Sequence, residues 1–415
     1  MPSVPRVPTE IRTPPAQEVT HLAALPEVRQ ACDWLRTAEP QLAQWQLELA
    51  RIPAPPFGEA ARGRWLAQKF RDLGLDQVRL DEVGNVLGVH PGHSGPYVAI
   101  SAHIDTVFPT GTPLQIQQEG SKLLGPGVSD NGAGVIAMLA IAGALQATPI
   151  HPHAPLLFLG NVGEEGEGDL RGMRHIFAQP HWLDSIACNL ILDGAGTDVI
   201  VAEALGSRRF EVIVRGPGGH SWSDYGIPNP IVILARAIET FSRANVPQSP
   251  KTSVNVGVIH GGTSVNSIPE SATMRVDIRS TSMIEIERLE RTLRLAMDQS
   301  LDTERESQRP AARHSALTAD FVLIGDRPSG ELPPDARILR VVREVDHHLK
   351  NSAQVQRAST DANIPLSLGR EAVALGGGGR GGGAHTLQEW FDCTGRDLGL
   401  RRILLSVLAL SGVQE

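Results

Sequence analysis

His103 sits in the string Ser101-Ala102-His103-Ile104-Asp105, and His385 closes the glycine-rich run that starts at Gly376. Between them come Ser129-Asp130-Asn131-Gly132, Gly163-Glu164-Glu165-Gly166 and Leu192-Asp193-Gly194. Most of these strings follow an apolar run, so they read as strand ends that open into loops. Imidazole nitrogens and carboxylate oxygens gathered at such ends are the raw material of a two-metal hydrolytic centre.

Each candidate also has an ordinary structural reading. In His103-Ile104-Asp105, strand periodicity puts positions 103 and 105 on one face, where a carboxylate can accept the second imidazole N–H and fix the ligand tautomer. The plain alternative is a satisfied strand-end histidine before a turn. Asp130 precedes an apolar helical stretch and could simply cap it. Glu164 and Glu165 are neighbours whose side chains diverge in extended chain, so one can bind metal while the other addresses a water as general base. Both could equally belong to a solvated acidic loop, and Asp193 could be a turn former. His220, in Gly216-Pro217-Gly218-Gly219-His220, reads as a turn histidine or as a donor to a developing oxyanion. No HExxH string, Walker lysine or GxSxG elbow occurs, and the glycine run is better explained by close backbone approach around a site.

The elements that must position these groups follow from periodicity. Helices are expected over residues 26–38, 40–52 and 62–73, and a buried helix over 134–147. Strands are expected at 85–89, 98–103, 156–161 and 190–192, so helix and strand alternate as in an α/β sheet. From about Leu205 the pattern changes to strand–helix–strand–strand–helix, which suits a small antiparallel sheet with two helices. The α/β character returns from about Phe321. An expected layout is therefore a leader over 1–25, a host domain over 26–205 and 321–415, and an inserted domain over 206–320 that creates a cleft between two bodies.

Composition narrows the function. The chain has 415 residues, 41% hydrophobic and 20% charged, which suits a packed globule of two domains. A net charge of -8 gives no basic footprint for nucleic acid. Cys32, Cys188 and Cys393 are scattered and fit a reducing, cytoplasmic compartment. The first twenty residues hold five prolines and no apolar core, unlike a secretory signal. No apolar run is long enough for a membrane span.

The order of these strings, with Ser101-Ala102-His103-Ile104-Asp105-Thr106-Val107, Gly127-Val128-Ser129-Asp130-Asn131-Gly132, Gly163-Glu164-Glu165-Gly166 and Gly383-Ala384-His385-Thr386-Leu387-Gln388-Glu389-Trp390, resembles the M20 family of metallopeptidases and amidohydrolases. Within it the chain looks most like the tripeptide-aminopeptidase and carboxypeptidase branches, and Ser359-Thr360-Asp361-Ala362-Asn363 is similar to a segment seen there. The resemblance implies a zinc-exopeptidase-like α/β fold, a mixed sheet with helices on both faces, plus an inserted α+β ferredoxin-like lid domain. It implies two zinc ions, with cobalt or manganese possible. Asp130 would bridge them, His103 and Asp193 completing one and Glu165 and His385 the other. Asp105 would orient His103, and Glu164 would be the general base. His220 would be the lid histidine, and Asn266 and Arg279 would hold a substrate carboxylate. A homodimer through the lid is implied. Arg370-Glu371 departs from the apolar pair common before the last strand. The implied activity is exopeptidase action on small peptides. An N-acyl-amino-acid amidohydrolase using the same site is an alternative, and a peptide-binding protein without turnover is a non-enzymatic one.

Overall fold

A computed structural model of the protein describes residues 16–307 and 317–414. Among them the chain divides into two compact units: the first runs to Ala204 and resumes at Gly330, and the second spans Leu205–Ser329.

The first unit is built on a mixed sheet of nine strands. Across it run Asp76–Leu80, Val86–His90, Leu156–Asn161, Tyr97–His103, Ile186–Leu192, Glu371–Leu375, Val199–Ala204 and Gly330–Glu331, with Gln354–Ala358 also paired to Val199–Ala204. Four of these, Leu156–Asn161, Tyr97–His103, Ile186–Leu192 and Glu371–Leu375, are mutually parallel. Their strand period sorts side chains onto two cores. Val98, Ile100, Leu156 and Phe158 join the larger cluster under the helices Gly132–Gln146 and Arg396–Ser411. Ala99, Leu157 and Leu159 face the opposite side, against Met173, Ile176 and Phe177 of the helix Arg171–Ala178.

Gly132–Gln146 is apolar on every side, and each residue from Gly132 to Leu145 is buried. Such a helix is stable only inside a protein, where each large apolar side chain contributes about 1.5–3 kcal/mol of burial. Its start is set by Asn131, whose side-chain oxygen accepts from Gly134 N at 3.1 Å. The cap is therefore Asn131, not Asp130, and the Asp130 carboxylate is left for other work. Gly134 permits the close approach that matters here, since a Cβ there would lie 2.3 Å from the Leu192 carbonyl oxygen.

The second unit is a four-stranded antiparallel sheet in the order Thr252–Gly261, Ser271–Ser280, Gly206–Arg215, Thr318–Arg327. The helices Pro230–Ser242 and Met283–Ser307 supply apolar side chains to its core, among them Ile233, Leu234, Leu289 and Leu293.

Three expectations change. The return to the host near Phe321 comes instead after Ser329, because Thr318–Arg327 hydrogen-bonds along Gly206–Arg215. The stretch expected as a draped leader contains a helix, Ala16–Ala24, with Val19 and Leu22 buried in the main core; residues 1–15 lie outside the described ones. Glu371, in place of an apolar residue, caps a helix: its two carboxylate oxygens accept from Arg337 N and Ile338 N at 3.0 and 2.9 Å. Among the described residues no helix is long and apolar enough to cross a membrane.

Candidate metal centre

The four parallel strands of the first unit end at one edge of the sheet, the edge where open α/β sheets bind ligands. His103 is the last residue of Tyr97–His103 and pairs in register with Asn161 at the end of Leu156–Asn161. Glu164 and Glu165 follow Asn161 by three and four residues. Asp193 follows Leu192, which pairs with Leu375 at the end of Glu371–Leu375, the strand that leads to His385. Asp130 comes in from the loop before the buried helix.

Side-chain geometry brings five of the candidate residues together around one carboxylate. His103 Nε2 lies 3.2 Å from Asp130 Oδ1 and 3.7 Å from Asp193 Oδ1. His385 Nε2 lies 3.1 Å from Asp130 Oδ2 and 3.1 Å from Glu165 Oε1. Two donor groups result, His103–Asp130–Asp193 and Asp130–Glu165–His385, each with its ligand atoms within 4.8 Å of one another, and they share Asp130. A third grouping, His103–Glu164–Glu165, meets the same limit.

These donors fit a pair of divalent cations. Ligands about 2.1 Å from a tetrahedral zinc lie roughly 3.4 Å apart, and the contacts above span 3.1–3.7 Å. One nitrogen and two carboxylate oxygens per group suit zinc, cobalt or manganese. Asp130 Oδ1 is buried and has no hydrogen-bond partner, a polar atom that asks for a ligand.

Electrostatics point the same way. Burial holds the Glu165 carboxyl up, at about 8, with the charges of Asp130 and Glu164 adding to the effect against the histidines. Burial likewise raises Asp130, but the neighbouring imidazoles of His103 and His385 overcome it and leave Asp130 well below the usual carboxylate range. His385 is raised to about 9, mainly by its hydrogen bond to Asp130. Burial would lower His103, yet Asp105, Asp130 and Asp193 together push it well above the ordinary histidine value. The cluster thus traps positive charge, as protons or as cations.

Asp105 is fully buried. Its carboxylate accepts from Glu164 N at 3.0 Å and Glu165 N at 2.8 Å, so it anchors the loop that carries both glutamates. His103 Nδ1 is 3.2 Å from the Asp105 backbone oxygen and 3.6 Å from its carboxylate. The backbone oxygen is the hydrogen-bond acceptor, and the carboxylate acts on the ring as a nearby charge.

Three expected residues lie in the second unit. His220 is exposed; its Nδ1 accepts from Trp222 N at 3.2 Å and Ser223 N at 3.4 Å, which leaves the proton on Nε2. Asn266 is beside it, its backbone oxygen accepting from Ser221 N at 3.0 Å. Arg279 Nε donates to Asp277 Oδ2 at 2.6 Å.

Asp361 is a site residue to which the sequence assigns no role. It is fully buried, its Oδ2 accepts from Asn161 Nδ2 at 2.7 Å, and its Oδ1 has no hydrogen-bond partner. Burial and then the charge of Glu164 raise it to about 8. Its only sequence signal is its place in Ser359-Thr360-Asp361-Ala362-Asn363.

The sequence model of the family described as Peptidase family M20/M25/M40 matches residues 99–405. A probable carboxypeptidase of Neosartorya fischeri is 31% identical over 210 residues, 46% of this chain and 46% of that protein. The chain spans about half the length of the curated relatives it matches. A tripeptidase from Staphylococcus aureus has the same fold, with 21% identity, a TM-score of 0.71 and coverage of 90% of this chain and 98% of that one. So does a Bacillus subtilis protein described as a dinuclear metal binding peptidase from the M20 family, with 14% identity, a TM-score of 0.64 and coverage of 91% and 100%.

Proposed function

The chain belongs to peptidase family M20/M25/M40, and on that premise we propose that it is a two-cation exopeptidase of small peptides. The sharing of Asp130 between two donor groups carries this reading. His103 and Asp193 would hold one cation with Asp130, and Glu165 and His385 the other. Zinc is the proposed native metal, with cobalt or manganese as substitutes. Such cations supply Lewis-acid polarisation of the scissile carbonyl and a lowered pKa for the attacking water.

The remaining steps belong to side chains. Glu164 takes the water proton at its carboxylate and returns it to the leaving amine. Two features support this role: its backbone is pinned to Asp105 Oδ1, and it stands outside both groups built on Asp130. His220, with its proton on Nε2, is the proposed donor to the developing oxyanion. Asn266 and Arg279 are proposed to hold the substrate carboxylate, and the second unit is proposed to carry a homodimer contact. A cytoplasmic setting is proposed with them.

The test is a substrate panel with zinc- or cobalt-loaded protein: unblocked tripeptides beside N-acetyl and N-carbamoyl amino acids. Cleavage of the tripeptides is expected. Turnover of the acylated amino acids alone would reassign the enzyme to amidohydrolase chemistry. A panel bound but uncut would make it a binding protein.

A further inference from the structure

Three backbone amides beside Asp130 point at one carboxylate that the proposed chemistry does not use. Glu389 is fully buried. Its Oε1 accepts from Ser129 N and Asp130 N, both at 2.7 Å, and its Oε2 from Gly127 N at 2.8 Å. The backbone makes the same connection, since Gly125 N donates to Glu389 O at 2.8 Å. Glu389 stands four residues after His385, and a turn closes the interval: Thr386 N donates to Gly383 O at 3.1 Å and Glu389 N to Thr386 O at 3.2 Å. One residue therefore fastens the loop that carries His385 to the loop that carries Asp130.

Asp105 does the same for the other loop, through the amides of Glu164 and Glu165. Arg62 is 2% exposed and donates to the carbonyl oxygens of Ile52 at 2.8 Å and Ile104 at 3.0 Å. Its charge acts on both Asp105 and Glu389. Burial raises the Glu389 carboxyl, and the three backbone N–H bonds to its two oxygens oppose that.

We propose that Glu389 is a positioning residue that holds Asp130 against His385. The proposal rests on the metal reading above. Its physical content is distance: metal ligands tolerate errors of about 0.2 Å, and Glu389 is what keeps Asp130 Oδ2 and His385 Nε2 at 3.1 Å. A glutamine there retains the shape but turns a donor towards amides that donate, so the two loops separate.

The experiment is a cobalt(II) titration followed by visible absorption, on metal-free full-length protein. Glu389→Gln is expected to weaken binding at the Asp130-dependent cobalt sites by about 10–100-fold, the range for partners that orient ligands. Glu389→Asp, with a shorter carboxylate, is expected to weaken it too and carries the test alone should the glutamine variant be recovered unfolded. Asp346→Asn is the control. Asp346 is another buried carboxylate, bonded to Arg402 Nε and Nη2 at 2.7 Å each on the helix Arg337–Leu349. It is expected to lower thermal stability and leave cobalt affinity unchanged. Folded Glu389 variants with unaltered cobalt affinity overturn the proposal, and so does an equal loss of affinity in Asp346→Asn. Unmutated protein that takes up no cobalt overturns the metal reading, and this inference with it.

Discussion

Replacing Glu164 by glutamine separates catalysis from metal binding in this site. Glu164 is 5% exposed, and its link to Asp105 runs through its own backbone N–H, which the substitution leaves in place. Glutamine has nearly the same volume, so neither cavity nor clash is introduced. Both donor groups built on Asp130 are complete without Glu164. What disappears is the capacity to take a proton. A general base contributes about 10²–10⁴-fold, which is roughly 3–5 kcal/mol of barrier. The expected result for Glu164→Gln is a kcat lower by about that factor, a KM little changed, and a metal content equal to that of the unmutated protein. The assay is steady-state and single-turnover cleavage of an unblocked tripeptide by cobalt-loaded enzyme, with elemental analysis of the same samples. Glu165→Ala is the counterpart: Glu165 Oε1 is 3.1 Å from His385 Nε2, and its loss is expected to lower metal content as well as rate. Full turnover in Glu164→Gln would remove Glu164 as the base. Metal loss in that variant would place it among the ligands, as the His103–Glu164–Glu165 grouping allows.

Other outcomes follow from the same geometry. Asp130→Ala takes one donor from both groups, so elemental analysis is expected to find both cations depleted, whereas Asp193→Ala should deplete one. Metal uptake is expected to release protons, because Glu165 at about 8 and His385 at about 9 are largely protonated at neutral pH and cations need them free. The sign is fixed: affinity rises with pH through those two values and levels off above them, which calorimetric titration in buffers of different ionisation enthalpy would detect. A pH-independent affinity between 7 and 9 would count against the cluster. Gly381→Ala puts a Cβ 2.2 Å from Ser129 Oγ and 2.9 Å from Ala195 Cβ, next to Asp130 and Asp193. Overpacking of that kind costs about 1–3 kcal/mol, and urea unfolding and cobalt affinity are both expected to register it.

The donor residues were legible because their types recur after apolar runs, and such runs mark strand ends before any contact is known. The buried helix was legible for the same reason, since nothing else accommodates fourteen successive buried positions from Gly132 to Leu145. The cap was not legible: Asp130 was the cap candidate in sequence, whereas Asn131 accepts from Gly134 N and Asp130 is left between His103 and His385. The edge of the second unit was misplaced by several residues because Thr318–Arg327 carries no compositional sign of which sheet it joins; pairing with Gly206–Arg215 decides that. Arg62, Asp361 and Glu389 were given no role. Nothing in the short segments around them marks these side chains as buried, and burial is what sets each against the site.

Local chemistry therefore specified which atoms this protein offers to a cation, because side-chain type and strand period are properties of short segments. Whether those atoms meet was settled by long-range pairing. Parallel register sets the ends of four distant strands along one edge, and His385 comes within 3.1 Å of Asp130 across 255 residues of chain. No local pattern encodes that distance; it exists only once the sheet has closed and the buried carboxylates have tied its loops together.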